Sequence, residues 1–412
     1  MSDPFELELT GIAHGGAAVG RHDGRVIFVP YGLPGERIRA QITQVKDRFA
    51  YARIVEIITA SPDRVAPPCQ HFGPGLCGGC HWQHVAYDRQ LEYKREIVID
   101  QLERIGKIRA PLVHPTRPSP SPWGYRHQMT FTVTPEGSTG FWSDDNSRVV
   151  PIERCHILRP SLADVYDRID LASLDVSRIR FQCGSDSEDR MVILELEGDD
   201  PPEVEVDFPL SINALTADNE PANLIGSAHV TYHMRGRDFR VTAGGFFQVN
   251  PSMADALVEE ALARLVLKGD ETVLDLYSGV GLFTAFIAER CGLVISVESF
   301  PPAVTDAEAN LAELDNVEII EGSVEAVLGN LSERIDAVVA DPPRAGLGNA
   351  VVEKLVRLKP ARIVYVSCDP ATFARDCGRF AQLGYRLIDV QPLDMFPQTF
   401  HIECVATLEQ AL

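Results

Sequence analysis

From about residue 241 to the C-terminus, short apolar runs alternate with helix-length segments, and that alternation leaves few folds open. The runs Thr272–Leu276, Val294–Val297, Val317–Ile320, Ile335–Ala340 and Ile363–Ser367 are short and mainly apolar, the pattern of strands buried on both faces of a parallel sheet. Pro251–Leu267 has the spacing of an amphipathic helix. Tyr385–Pro392 and His401–Leu408 read as a closing antiparallel pair. Together they predict a doubly wound, Rossmann-like α/β domain over 241–412. In such sheets ligands collect just outside the carboxyl ends of the strands. The residues that follow each run are therefore the ones to read for chemistry.

After the first run come Asp275, Tyr277, Gly279 and Gly281. Glycines between a strand and a helix let the backbone approach a nucleotide-like ligand. Glu298 ends the second run, where a carboxylate can bind ribose hydroxyls. The third glycine of a dinucleotide fingerprint is missing, so S-adenosylmethionine fits better than a dinucleotide. Asp341 ends the fourth run and is followed by Pro342, Pro343 and Arg344. Amine methyltransferases often place an aromatic residue where Arg344 stands, which points to a different target atom. Cys368 follows the fifth run, with Asp369 and Pro370 stopping the strand. A thiol at that position, polarisable and partly ionised near neutral pH, is a candidate nucleophile. Taken alone it reads more readily as a buried, inert cysteine.

The front half is different in kind. Residues 1–58 alternate short β-like runs (Phe5–Leu9, Val26–Val29, Arg37–Val45, Tyr51–Ile58) with glycine turns, which predicts a small β-barrel. Arg37, Arg39, Lys46, Arg48, Phe49 and Tyr51 could give it a nucleic-acid face. Residues 59–240 read as a central, mostly β domain. Strands are expected over 128–133, 140–142, 190–197 and 229–240, with Asp175 and the acidic stretch around Asp199 in loops. A helix is expected over Tyr87–Ile105, with Gly106 as its cap. Cys69, Cys77 and Cys80 stand on a glycine-rich segment and can converge on one metal centre, with Cys155 the natural fourth ligand. Four thiolates suit zinc or an iron–sulfur cluster. A single C-x-x-C tilts the reading to iron–sulfur.

Net charge is −21, which at first sight argues against nucleic acid. The charge is uneven, however. Asp186 to Asp207 is strongly acidic, and Arg89 to Arg109 leans basic through Lys94, Arg95, Arg104, Lys107 and Arg109. No apolar run approaches a membrane span, and the N-terminus has no export signal, so the expected place is the cytoplasm. Nine cysteines there are expected to be ligands, catalytic groups or core fillers rather than disulfides.

These residues together resemble one family, the RNA uridine C5-methyltransferases of the S-adenosylmethionine-dependent class I fold. The likeness spans nearly the whole chain. The N-terminal barrel resembles a TRAM domain, which implies RNA binding. Cys69, Cys77, Cys80 and Cys155 match the family's 4Fe–4S ligands. Phe247 to Pro251, Asp275 to Gly279, Glu298 and Asp341 to Arg344 match its cofactor motifs. The resemblance thus implies that Gln248, Tyr277, Glu298 and Asp341 contact S-adenosylmethionine. Ser367 to Pro370 matches the nucleophile motif and Phe396 to Glu403 the segment with the base, which implies Cys368 as nucleophile and Glu403 as base. The barrel-plus-cluster arrangement resembles the branch acting on 23S rRNA more than the tRNA branch, and a monomer is expected.

The chemistry asks for such a pair. Uracil C5 is too weak a nucleophile to take a methyl group unaided. A thiolate added at C6 makes an enolate whose density falls on C5, and a base must later remove the C5 proton. Glu403, among apolar residues, is expected to have a raised pKa. A DNA cytosine C5-methyltransferase shares the thiolate logic but needs no cysteine cluster. A catalytically silent iron–sulfur RNA-binding protein needs neither Cys368 nor Glu403.

Overall fold

The computed structural model describes residues 3–134, 137–169, 176–198, 200–218 and 221–411; the loop reading at Asp175 lies outside them, while residues 200–207 of the acidic stretch form a loop as expected. Strands β1 (Phe5–Ile12), β2 (Ala18–His22), β3 (Arg25–Val29), β4 (Arg37–Val45) and β5 (Phe49–Thr59) close a barrel in the order β1-β2-β3-β5-β4. Alternation along each strand sends Leu7, Leu9, Ile27, Val29, Ile38, Ala40, Ala50 and Ala52 inside. Sequence reading missed β2, which has too few apolar residues to show the pattern. Its Gly20 is needed for packing, because a Cβ there would stand 2.5 Å from the Glu8 carbonyl oxygen.

Helix α1 (Tyr87–Arg104) leads into the central domain. There β6 (Gln128–Val133), β7 (Thr139–Trp142), β8 (Val149–Pro151), β9 (Arg178–Cys183), β10 (Arg190–Glu195), β11 (Ser211–Leu215) and β12 (Pro221–Ile225) form one sheet. Its order is β12-β11-β10-β9-β6-β7-β8, and α2 (Pro160–Tyr166) packs on β9. The single strand expected over 229–240 is instead a hairpin, β13 (His229–Met234) and β14 (Arg237–Thr242). Arg235 (φ 51) and Gly236 (φ 84) supply the two left-handed residues of a tight hairpin turn. The hairpin's Val230, Tyr232, Phe239 and Val241 share a core with the helices that follow. The change of pattern read near 241 therefore falls inside β14.

The C-terminal domain runs α3 (Pro251–Leu265), β15 (Thr272–Leu276), α4 (Leu282–Ala288), β16 (Leu293–Glu298), α5 (Pro301–Asn310), β17 (Val317–Glu321), α6 (Val324–Asn330), β18 (Ala337–Ala340), α7 (Gly348–Leu358), β19 (Arg362–Ser367), α8 (Pro370–Gln382), β20 (Tyr385–Leu393) and β21 (Glu403–Gln410). Sheet order is β17-β16-β15-β18-β19-β21-β20. The first five are parallel, while β21 enters antiparallel between β19 and β20. Order reverses between β15 and β18, the switch point where open α/β sheets bind ligands. Val273, Val339, Val364 and Val405 face one core, and Leu274, Val338, Tyr365 and Ala406 face the other.

Helix α1 packs against α8 on the second of these faces. Gly106, expected as a cap, is not in the left-handed region; Lys107 is (φ 56). Gly106 is small for another reason. A Cβ there would stand 2.8 Å from the carbonyl oxygens of Ala374 and Leu102, and one on Gly378 would stand 2.7 Å from the Gly106 oxygen. At an open helical position Gly→Ala would stabilise by about 1 kcal/mol. Gly378→Ala should instead lose about 1–3 kcal/mol, as overpacking does, read as a lower urea midpoint with an unchanged slope.

Candidate active site

The carboxyl ends of β15, β18 and β19 and the start of the antiparallel β21 meet at one edge of the sheet. Ser367 pairs with Cys404, so Cys368 and Glu403 stand one step further along on neighbouring strands. Ala340 pairs with Leu276 on one side and Tyr365 on the other, which sets Asp341 between the turn after β15 and the end of β19. Asp369 caps α8 by accepting from the N–H groups of Ala371 (3.0 Å) and Thr372 (2.8 Å), and Pro370 opens the helix. The turn after Cys368 is thus fixed by its own sequence.

Burial dominates the electrostatics. Glu403 is 2% exposed, and its Oε1 has no hydrogen-bond partner. Burial raises its pKa well above the ordinary range, Asp341 raises it further, and Arg344 pulls it back. Burial likewise raises Asp341. Two neighbouring buried carboxyls cannot both ionise cheaply. Cys368 is pushed up to about 12, by burial first and then by Glu403 and Asp341. Burial and the two carboxyls thus oppose the partial ionisation expected of this thiol, and Arg344 favours it.

The turn after β15 is built for close approach. Tyr277 (φ 61), Gly279 (φ 56) and Gly281 (φ 87) are all left-handed. A Cβ on Gly281 would stand 2.7 Å from Leu311. Glu298 accepts from the N–H groups of Gly279 (2.9 Å), Ser299 (2.6 Å) and Phe300 (2.8 Å). Its carboxylate is held in place with lone pairs to spare. Beneath lies Asp275, fully buried. It accepts from Thr284 Oγ1 at 2.6 Å, and its Oδ1 has no partner. Gln248 is buried on the connection into α3; no hydrogen bond joins it to Tyr277, Glu298 or Asp341.

Comparison with known proteins decides what this arrangement belongs to. Residues 228–411 match the model of the tRNA (Uracil-5-)-methyltransferase family, and residues 5–55 match the TRAM domain. An uncharacterized RNA methyltransferase of Streptomyces avermitilis is 39% identical over 100% of this chain and 99% of its own length. One of Halalkalibacterium halodurans is 35% identical over 99% and 97%. The chain belongs to the RNA (uracil-5-)methyltransferase family. Among solved structures, the tRNA (uracil-54, C5)-methyltransferase of Pyrococcus abyssi, in complex with S-adenosyl-L-homocysteine, superimposes with a TM-score of 0.75. It is 28% identical and covers 98% of this chain and 99% of that one.

In this RNA methyltransferase Cys69, Cys77, Cys80 and Cys155 line one cavity of about 50 Å3, with Phe72, Met129, Phe141 and Ile152 around it. Burial pushes Cys77 up to about 11 and Cys80 up to about 12, and raises Cys155 as well. Gly79 N–H points at Cys77 Sγ, 3.4 Å away. Among the described residues no group of three or more His, Cys, Asp and Glu side chains is arranged to hold a single metal ion. The thiols surround a void instead of converging on a point.

The expected basic faces are partly neutralised. Arg37 pairs with Glu6 and Arg39 with Glu56. On α1, Arg89 pairs with Glu92, Glu96 and Asp63, Arg104 with Asp100, and Lys94 is buried against Asp394. Lys46 and Arg48 remain unpaired beside a cluster of Phe28, Phe49 and Tyr51, whose ring centroids are 5.4–5.7 Å apart. Sequence reading also missed the barrel's contact with the site. His14 Nε2 stands 3.6 Å from Asp369, and Trp82 Nε1 donates to Gly16 O at 3.0 Å. The Gly15-Gly16 pair signalled a turn, but nothing local signals its partner.

Burial pushes Asp275 up to about 7 from 3.8. The folded state therefore holds a proton that the unfolded chain releases near pH 4. Its destabilising effect is absent below about pH 4, grows as pH rises, and is complete above about pH 7. Asp275→Asn should accordingly gain stability relative to wild type between pH 5 and pH 8, by an amount on the order of a few kcal/mol. Parallel thermal melts at the two pH values check this.

Proposed function

We propose that the chain methylates C5 of a uridine in RNA, with S-adenosylmethionine as methyl donor, Cys368 as nucleophile and Glu403 as base. The observation that carries this is the meeting of Cys368, Glu403 and Asp341 at one edge of the sheet, beside the turn after β15. The residues fit the donor. Glu298 would hold its ribose, the left-handed turn at Tyr277–Gly281 leaves room for its backbone-close approach, and Gln248 and Asp341 would complete the contacts. The donor supplies an electrophilic methyl group; the rest is done by the chain. Cys368 passes its proton to solvent as its sulfur adds to C6, which makes C5 nucleophilic towards the donor's methyl group. Glu403 then removes the C5 proton, the C5=C6 bond re-forms, and the thiolate leaves. Burial that raises the pKa of Glu403 also makes its carboxylate, once ionised, a stronger base towards the C5 proton. The target base must leave its stack to reach this edge, and the barrel's Phe28–Phe49–Tyr51 cluster with Lys46 and Arg48 suits flanking nucleotides.

Cys69, Cys77, Cys80 and Cys155 would hold a 4Fe–4S cluster. Thiols around a void fit a cluster, which spreads its ligands over several irons, better than one zinc ion. Desolvated thiols charge readily only when a metal takes their protons' place. The cluster would tie the 69–80 segment to the segment at 155, and methyl transfer needs no electron from it.

For the target, motif resemblance favours 23S rRNA. A second reading, tRNA, is favoured by the Pyrococcus enzyme, which acts on tRNA and matches barrel and all. Mass spectrometry of both RNAs from a deletion strain separates the two.

Two outcomes test the reading. With RNA and labelled S-adenosylmethionine, Glu403→Gln should stall as a labelled protein–RNA band on a denaturing gel. Cys368→Ala should give no band and no methyl transfer. Wild-type turnover by Glu403→Gln would assign the base elsewhere, and a band from Cys368→Ala would assign another nucleophile. Anaerobically purified protein should contain about four irons per chain. Stoichiometric zinc without iron would remove the cluster, and Cys155→Ala should lose metal before it alters methyl transfer.

A further inference from the structure

Glu403 opens β21, but the connection that leads to it, residues 394–402, is gripped from outside the sheet. Asp394, fully buried, accepts from Lys94 Nζ at 2.5 Å and from Tyr87 OH at 2.7 Å. Lys94 also donates to the Phe396 carbonyl at 3.1 Å. The apex of the connection is Gln398, 3% exposed and left-handed at φ 68. Its carbonyl accepts from the N–H groups of both His81 (2.9 Å) and Trp82 (3.0 Å). Its own N–H donates to Gln90 Oε1 at 3.1 Å, and its Oε1 accepts from Gln90 Nε2 at 3.0 Å. Gln90 Nε2 also donates to the carbonyls of Trp82 (3.1 Å) and Val85 (3.0 Å). Tyr87, Gln90 and Lys94 follow one another at three and four residues, so they share one face of α1.

A non-glycine residue rarely holds a left-handed backbone unless its surroundings over-determine it. Here they do, through a reciprocal pair of buried amides and a carbonyl that takes two N–H groups. From the apex the order passes on: Thr399 Oγ1 donates to Phe396 O at 2.8 Å and accepts from His401 N–H at 3.2 Å, two residues before Glu403. Cys368 depends on none of this, since β19 and the α8 cap hold it.

We infer that the Gln90–Gln398 amide clasp is a positioning device for the general base. It rests on the assignment of Glu403 proposed above. It acts on one step, in which the C5 proton passes to Glu403, the C–H electron pair becomes the C5=C6 bond, and the C6–S bond breaks to release the Cys368 thiolate. Adduct formation and methyl transfer precede that step and draw on other residues. Loss of the clasp therefore slows elimination selectively.

Gln90→Met keeps the length of the side chain and removes every one of its hydrogen bonds. Gln398→Gly keeps the left-handed backbone and removes only the side-chain half. Single-turnover reactions with labelled S-adenosylmethionine, quenched in denaturant, give the ratio of methylated protein–RNA adduct to released 5-methyluridine. That ratio does not depend on the fraction of protein that is folded. Gln90→Met should slow elimination by about tenfold, equivalent to about 1.4 kcal/mol of barrier, so that the adduct accumulates while methyl transfer stays near the wild-type rate. Gln398→Gly should show the same shift to a smaller degree. An unchanged ratio, or equal slowing of both steps, overturns the inference. Glu403→Gln is run beside them. If it accumulates adduct and Gln90→Met does not, the clasp fails alone; if Glu403→Gln does not accumulate adduct, the base assignment fails and the clasp falls with it.

Discussion

The antiparallel entry of β21 between β19 and β20 is the constraint on which the site depends. A purely parallel continuation would bring only strand ends to this edge. By running backwards, β21 brings its first residue there, and the Ser367–Cys404 pairing fixes that residue, Glu403, beside Cys368. A one-residue slip would turn Glu403 and Cys404 to opposite faces. Two cores oppose the slip, because Val405 packs on one face and Cys404 and Ala406 on the other. Register is thus set by apolar burial, and the chemistry inherits it.

The same burial makes the site acidic in a particular sense. Cys368, Asp341 and Glu403 are all held towards their neutral forms. A free thiolate at this edge would be exposed to oxidation and side reactions. A neutral thiol is quiet until a substrate changes its surroundings. Arg344, on the turn after Asp341, opposes the two carboxyls and is itself tied through its carbonyl to Thr372 Oγ1 at 3.0 Å. That bond joins the turn after Asp341 to the turn after Cys368.

Much of this was legible in the sequence, for reasons that differ by segment. Four of the five parallel strands show as apolar runs because both faces are buried, β17 shows as one although it lies partly exposed at the sheet edge, and the candidate site follows from what stands at the strand ends. The hairpin at 229–242 reads as one strand in sequence, because Arg235-Gly236 is short and its flanks share the same β-like composition. Gly106 was given a conformational role when its role is the close crossing with Gly378, a contact between residues far apart in sequence. Lys94 was counted as surface charge, yet it is fully buried against Asp394. Local pattern reports which face of an element is apolar; it does not report which distant polar group waits there. His14 beside Asp369 and Gln90 beside Gln398 were invisible for that reason.

Charge can now be followed from composition to surface. A net charge of −21 would repel RNA if it were spread evenly. The ion pairs on β1, β4 and α1 remove cations that composition alone would have offered to phosphates. What remains beside the aromatic cluster is Lys46 and Arg48, at the turn into β5. Salt screens charges beyond about 8–10 Å, so an approaching strand feels this turn and the rings next to it more than the distant acidic surface. Stacking on rings is tolerant of sequence, whereas in the proposed reaction the uridine taken into the site would present C6 to Cys368 and C5 to Glu403. In this reading the barrel holds the neighbourhood of the target and the edge of the sheet selects the base, so affinity and selectivity reside in different domains joined through α1.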